Sequence, residues 1–339
     1  AQVDSHVCYY VFNRGNSEGF VIVSADDRTS EQILGYSTQG TFDYSKLPAS
    51  AKAWINGYAK GIATIQATNQ APAPTCAATR TPSSVAPLLG DIAWDQFAPF
   101  NNLCPEVDGE KCPTGCVATA MAQLMYYHRW PEVGHGSHSY EWNGQTLSAD
   151  FNHEYHWDLM KPYYTGDINI DGKEASEEVA ILMRDCGYSL DMNYAVGGSG
   201  AAGIAQRLVD YFDYDKDIHI LYRDATTKEH YQNVVCEEIA KGRPVAIGDL
   251  SHFFLFDGYD EDGLVHTNFG WDGFGNAYYS IDNTGFDSNP AILYGLRKNE
   301  GNPAGFDLWS TNDFYVDEDY GEIECDLYFY YRVSGTDYG

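Results

Sequence analysis

Apolar positions along this chain change rhythm several times, and the changes mark out its parts. Strand-like apolar runs occupy residues 7–12, 19–24 and 31–36. Residues 49–67 then switch to helical spacing through Ala53, Ile55, Ala59, Ile62 and Ala63. From Ala67 to Ala86 the chain is rich in Ala, Pro, Thr and Ser, which breaks both patterns and reads as a linker. Helical periodicity returns at about 116–129, 174–187, 201–212 and 228–241, and strand-like runs cluster at 217–223, 244–249, 252–259, 263–269 and 276–281. Helices first and an antiparallel sheet later predict an α+β fold with a cleft where the two halves meet. No run of 18 apolar residues exists, so no membrane span is expected.

At 339 residues the chain has room for two or three units, each with its own core. Its net charge of −29 is unevenly spread. Residues 1–80 hold six acidic and six basic side chains, residues 81–298 hold 33 against 13, and residues 299–339 hold ten against one. That surplus argues against nucleic acid or an anionic membrane as partner. A solvated acidic surface is preferred here to a taste for cationic substrates. The chain opens without Met or a signal-peptide pattern, which predicts a processed or trimmed N-terminus compatible with export.

The richest chemical clue is Gly115-Cys116-Val117-Ala118-Thr119-Ala120. Val117, Met121, Leu124, Met125 and His128 recur at helical spacing, and Pro131 stops the run just after Trp130, so Cys116 is predicted at a helix N-terminus. The positive end of the helix dipole favours a thiolate there, and a thiolate is a nucleophile. With eight cysteines present, Cys116 as half of a disulfide or as a small core residue is an equal alternative on this motif alone. The second clue is the segment from Ser251 to Trp271, two aromatic-rich runs around an Asp/Gly-rich turn, which reads as a β-hairpin. A hairpin returns the end of its second strand to the start of its first, so His252 and Asn268 can meet. The Asn268 amide could then hold one imidazole nitrogen, leave the other for a thiol, and be shielded from water by Trp271. His266, two residues from Asn268, is a rival base on the same face.

Two other patterns carry less. Gly198-Ser199-Gly200-Ala201-Ala202-Gly203 has the form of a dinucleotide loop, but no buried β-branched strand precedes it and no βαβ unit surrounds it. Cys104, Cys112 and Cys116 with His128 fit none of the familiar zinc spacings. Cys104 with Cys112 is a candidate local disulfide, and Cys186 and Cys236 are candidate buried thiols. Complete pairing of the eight cysteines would leave no nucleophile.

The stretches 112–123 (Cys-Pro-Thr-Gly-Cys-Val-Ala-Thr-Ala-Met-Ala-Gln), 252–258 (His-Phe-Phe-Leu-Phe-Asp-Gly) and 268–271 (Asn-Phe-Gly-Trp) resemble the signature blocks of the streptopain-like cysteine peptidases. These are secreted bacterial proteases with a papain-like fold. A fourth block, 92–101 (Ile-Ala-Trp-Asp-Gln-Phe-Ala-Pro-Phe-Asn), is similar to the family's oxyanion-glutamine region. Residues 9–13 and 19–28 resemble its inhibitory pro-region, so the likeness covers residues 1–298. The resemblance implies Cys116 as nucleophile, His252 as general base and then acid, Asn268 as orienter, and Gln96 as oxyanion donor beside the Cys116 N–H. It also implies a substrate cleft bordered by Gly115, Gly200, Ser251 and Trp271, a preference for a hydrophobic side chain one residue before the scissile one, and no cofactor or metal. Three positions depart from the family pattern. Ser251 stands for a glycine, Phe253 for an alanine, and Phe269 for a tryptophan, which keeps an aromatic face but loses the indole N–H.

The expectation is a secreted or cell-surface cysteine endopeptidase of the virulence-factor type, made as a latent zymogen. Residues 1–80 would form a small α+β inhibitory pro-domain, with a linker to about 86 that is cut for activation near residues 78–87, Arg80-Thr81 being the most accessible charged point. Residues 87–298 would form the papain-like catalytic domain. Residues 299–339, acidic and rich in aromatics, would be an extension of unknown role, either a small β-element or the start of a further domain. Expected partners are protein or peptide substrates and the chain's own pro-domain, not nucleic acid. The competing expectations are another Cys/His acyl-transfer enzyme, such as a transglutaminase or amidase, and a catalytically inactive surface-binding relative.

Overall fold

The computed structural model describes residues 2–3, 6–47, 49–68, 84–248, 252–281, 290–301, 306–310 and 329–333. Most of the linker, with Arg80 and Thr81, lies outside the described residues, as do Ser251 and most of the tail.

The N-terminal region supplies strands β1 (Tyr9–Asn13), β2 (Phe20–Ser24) and β3 (Ile33–Ser37), then helix α1 (Ala49–Ala67). Further on come α2 (Cys116–His128), the hairpin β4 (Ser137–Trp142) and β5 (Gln145–Asp150), α3 (Lys173–Ser189) and α4 (Ile204–Phe212). These are followed by β6 (His219–Tyr222), α5 (Lys228–Ala240), β7 (Val245–Gly248), β8 (Phe253–Tyr259), β9 (Val265–Asn268), β10 (Ala277–Tyr279) and β11 (Ala291–Tyr294). In the tail, β12 (Phe306–Ser310) pairs antiparallel with β13 (Phe329–Val333).

The periodicities located α1 to the residue and the other long elements to within a few positions. The β4–β5 hairpin escaped them, although its signal is present. Asn143-Gly144 turns the chain with both residues at positive φ, 48° and 76°, as a two-residue hairpin of the kind that matches strand twist requires.

One antiparallel sheet of nine strands spans both regions, in the order β6-β11-β7-β8-β9-β10-β3-β2-β1. The N-terminal strands, expected as part of a separate unit, join it where Tyr278 pairs with Tyr36 and Tyr279 with Gly35. The rings of Tyr36 and Tyr278 stack there at 5.2 Å. Gly35 leaves room for this approach, since a Cβ would meet the Tyr279 ring at 2.7 Å.

Two cores lie on the sheet, and β8 serves both through its period of two. Leu255 packs with Met121, Leu124 and Met125 of α2 and with the core of α3. Phe254 and Phe256 face the other core, shared with Trp54, Ile55 and Tyr58 of α1 and Val235 and Ile239 of α5. Trp54 stands edge-on to both rings, at 5.8 Å from Phe254 and 6.0 Å from Phe256. The Tyr58 hydroxyl donates to the Ser280 carbonyl at 2.6 Å. The helix of the N-terminal region is thus packed on the strand that follows His252.

Candidate active site

Cys116 is the first residue of α2 and is half-buried. The run Val117–Tyr126 is buried throughout, so apolar packing fixes the helix and with it the direction of its N-terminus. Gly115 forms the cap with no side-chain capping bond and takes φ 86°. A Cβ there would lie 2.9 Å from both the Met192 sulfur and the Ser199 carbonyl oxygen. Only glycine meets both demands, the left-handed backbone and the close approach. Ser199 also donates its hydroxyl to the Pro113 carbonyl at 2.8 Å. The glycine-rich 198–203 segment is therefore fastened to the turn before the cysteine, with Gly200 bridged to Asn193.

Gln96 is 5 % exposed, and its carbonyl accepts the Thr114 amide at 3.0 Å, two residues before Cys116. The glutamine and the nucleophile turn are thus hydrogen-bonded neighbours. The sequence supplied Gln96 only through the family likeness, because nothing in its local pattern separates it from an ordinary loop residue.

His252 precedes β8 and is buried. Its ring stacks on Phe254 at 5.6 Å and lies 6.4 Å from Trp271. Its Nε2 is 3.2 Å from the Phe269 carbonyl oxygen. A carbonyl can only accept, so Nε2 carries the proton in this contact. Hairpin pairing does bring Asn268 back to the start of β8, opposite Leu255. The expected Asn268 bond to His252 is not what forms, however. The Asn268 amide donates to the Ile92 carbonyl at 2.8 Å, and its oxygen accepts the Gly270 N–H at 3.0 Å. The side chain is held by backbone at both ends, and the neighbouring main-chain carbonyl lies against the imidazole. The indole N–H forgone at Phe269 is immaterial to this contact, which uses main chain only.

Gly270 brings this cluster to α2. A Cβ on it would lie 3.1 Å from Thr119 Cγ2, one turn from Cys116. His266, the rival base, is occupied elsewhere. Its Nδ1 is 2.6 Å from Asp257, whose other oxygen accepts the Leu89 amide at 3.0 Å. A bulge between Phe256 and Gly258 aims Asp257 at it. Phe253 lies across Gly248, its cross-strand partner, where a Cβ would come within 2.4 Å of the ring. Its extra bulk is taken up by that glycine.

Cys104 and Cys112 are both buried free thiols, as are Cys186 and Cys236. Burial pushes the Cys104 thiol up to about 12 and Cys186 well above its ordinary value, the reverse of what a nucleophile needs. Among the described residues no group of three or more His, Cys, Asp or Glu could hold a metal ion.

A cysteine leading a helix, an imidazole held in one tautomer and a glutamine tied to the nucleophile turn are the parts of a thiol peptidase. The model of the Peptidase C10 family matches residues 94–279, a span that contains all three. The chain belongs to the C10 peptidase family. The model of the Spi protease inhibitor matches residues 2–62, the strands β1–β3 and most of α1. This C10 peptidase is 35 % identical over 303 residues to the thiol protease/hemagglutinin PrtT of Porphyromonas gingivalis, covering 82 % of this chain but only 34 % of PrtT. It is 32 % identical over 308 residues to streptopain of Streptococcus pyogenes, covering 80 % of this chain and 73 % of streptopain. Among solved structures, a mutant prointerpain A fragment of Prevotella intermedia superposes with a TM-score of 0.72 at 29 % identity, covering 85 % of this chain and 99 % of that one. Active interpain A superposes with a TM-score of 0.57 at 34 % identity, covering 63 % and 95 %. The α+β papain-like fold is thereby established for this C10 peptidase. Among the described residues no helix is long and apolar enough to cross a membrane.

Proposed function

We propose that this latent cysteine endopeptidase cuts proteins with Cys116 as nucleophile and His252 as general base and acid. The observation that carries the assignment is the cysteine at the α2 N-terminus, with the Gln96 carbonyl hydrogen-bonded two residues before it. The helix terminus favours the thiolate, which attacks the peptide carbonyl. Gln96 and the Cys116 N–H receive the developing oxyanion. A neutral amide suits that role because it donates without competing as a base. His252, proton-bearing at Nε2, accepts at Nδ1 and passes the proton to the leaving amine; it then activates the water that cleaves the thioester. The Phe269 carbonyl orients the ring. Asn268 acts one step back, fixing the 268–270 turn against Ile92. Gly115, Gly200 and Trp271 border the cleft, and Ser251, outside the described residues, is assigned there by the family likeness.

Residues 1–80 are the inhibitory pro-domain, 87–298 the catalytic domain and 299–339 an extension. In the latent form α1 holds Phe254, on which His252 stacks, so the imidazole answers to the pro-domain. Cys116 instead packs with the core of the helical half. Cleavage near residues 78–87 releases this hold. The enzyme acts outside the cytoplasm on protein or peptide substrates, as the streptopain-like resemblance implies.

The test is self-processing and casein hydrolysis under reducing conditions by the full chain, next to Cys116→Ala. Both activities vanish in the variant. If the variant processes and digests casein like the parent, the assignment is wrong; amine incorporation without hydrolysis would favour a transglutaminase.

A further inference from the structure

A main-chain carbonyl orients an imidazole only as well as the chain that carries it is held. Phe269, whose carbonyl meets the His252 ring, lies just beyond β9, and the pairing of β9 with β10 stops at Thr267 and Ala277. Residues 269–276 join the two strands as a loop in which Gly270, Asp272, Gly273 and Gly275 all take left-handed φ, from 51° to 85°. Local preference holds such glycine-rich backbone loosely. Its turns are closed main chain to main chain, by the Phe274 N–H on the Trp271 carbonyl at 2.7 Å and the Asn276 N–H on the Gly273 carbonyl at 3.2 Å.

A side chain ties the base of this loop. The Asn276 amide oxygen reaches back seven residues and accepts the Phe269 N–H at 3.0 Å. The donor is a backbone N–H, so oxygen rather than nitrogen of the amide faces it. On the other side of the same residue, the Phe269 ring is 1 % exposed and packs 4.9 Å from Phe254 and 5.9 Å from Tyr279. With its nitrogen and its side chain both fixed, the tetrahedral α-carbon of Phe269 directs the carbonyl carbon one way. The oxygen it carries is the one 3.2 Å from His252 Nε2.

Turn formation does not account for an asparagine at 276. Its part in the turn is a main-chain N–H, which every residue but proline supplies, and its φ lies outside the left-handed region. We propose that Asn276 is a positioning residue for catalysis, fixing through the Phe269 main chain the carbonyl that orients His252. The inference rests on the peptidase site assigned above. Without the amide the Phe269 N–H loses its acceptor, the loop opens at its base and the carbonyl drifts from Nε2. The imidazole then turns, and for part of the time it is misaligned for proton transfer to the leaving amine. That loss falls on kcat, because binding of the peptide does not draw on this bond.

The full chain is compared with Asn276→Ala, Asn276→Leu and Asn276→Asp after self-processing, with active sites counted by a thiol-directed irreversible inhibitor. Leucine keeps the shape without the acceptor, and so serves if the alanine variant fails to fold; aspartate keeps an acceptor oxygen. On a single peptide substrate, Ala and Leu are expected to lower kcat about tenfold with KM within about twofold of the parent's. Asp recovers most of that loss. A second reading uses the Cys116→Ala background, where the imidazole ¹⁵N shifts of His252, assigned by difference from His252→Gln, report which nitrogen carries the proton. It stays on Nε2 with Asn or Asp at 276 and is shared between the nitrogens with Ala or Leu. A parent-like kcat without the acceptor, a loss confined to KM, no recovery with Asp, or a proton that stays on Nε2 throughout overturns the inference and leaves the peptidase assignment standing. A processed parent that cuts neither the peptide nor casein removes both together.

Discussion

Replacing Trp54 by alanine tests whether the N-terminal helix restrains the catalytic strand. Trp54 is 4 % exposed, stands edge-on to Phe254 and Phe256, and donates its indole N–H to the Tyr58 hydroxyl at 2.9 Å. Truncating a buried tryptophan costs about 3–5 kcal/mol in transfer and cavity terms. The lost hydrogen bond adds about 1 kcal/mol. Most of this falls on the contact between α1 and β8, because the two phenylalanine rings belong to β8. A loss of about 4 kcal/mol raises the population of undocked α1 by nearly three powers of ten. Stability is read in the Cys116→Ala background by urea unfolding, where self-cleavage cannot interfere. Latency is read in the active background by the rate at which the precursor converts. The expected outcome is an early unfolding phase for the N-terminal region and faster conversion than the parent. Trp54→Phe keeps an aromatic ring against β8 and loses only bulk and the N–H, so it falls between the two and guards against a variant that fails to fold. If Trp54→Ala loses less than about 1 kcal/mol and converts no faster, the α1 contact does not hold the site latent.

Two further outcomes follow from the site and from its charge pairs. Asn268→Ala strands the buried Gly270 N–H and Ile92 carbonyl, so in the Cys116→Ala background it loses about 1–3 kcal/mol to urea, while the pH–rate profile of the active enzyme keeps its limbs; a shifted profile would return Asn268 to the role of orienter. His153 is held above its ordinary 6.5 by its hydrogen bond to Asp185, against the opposing effect of burial. Its folded value is thus raised, so its contribution is fully present below pH 6.5 and is lost as pH rises through the folded value. The urea midpoint of the Cys116→Ala protein therefore falls as pH rises above about 6.5, and His153→Gln flattens that fall; an equal fall in both proteins would contradict the pairing.

What the sequence determined by itself is what short-range physics controls. Helical spacing from Val117 to His128 put Cys116 at a helix terminus, and the Ala53–Ala63 spacing found α1, because both are written in the period of apolar residues. The aromatic runs around Asp260–Gly263 announced a hairpin, and antiparallel return then brought residue 268 opposite residue 255. Local signals also held the β4–β5 turn, in Asn143-Gly144.

Tertiary structure alone decided which polar groups meet. Imidazole orientation depends on the carbonyl of Phe269, and a backbone atom leaves no mark on residue identity. Asn268 looked like the partner because its side chain is the polar one nearby, yet Ile92, 176 residues earlier, claims its amide. His266 is removed from contention by a bulge that no periodicity reports. The continuation of the catalytic sheet into β3 rests on backbone pairing between Tyr278 and Tyr36, for which any two extended edges are chemically eligible. Secondary structure follows from neighbours along the chain, whereas a site follows from neighbours in space, and those are chosen only when the whole chain has packed.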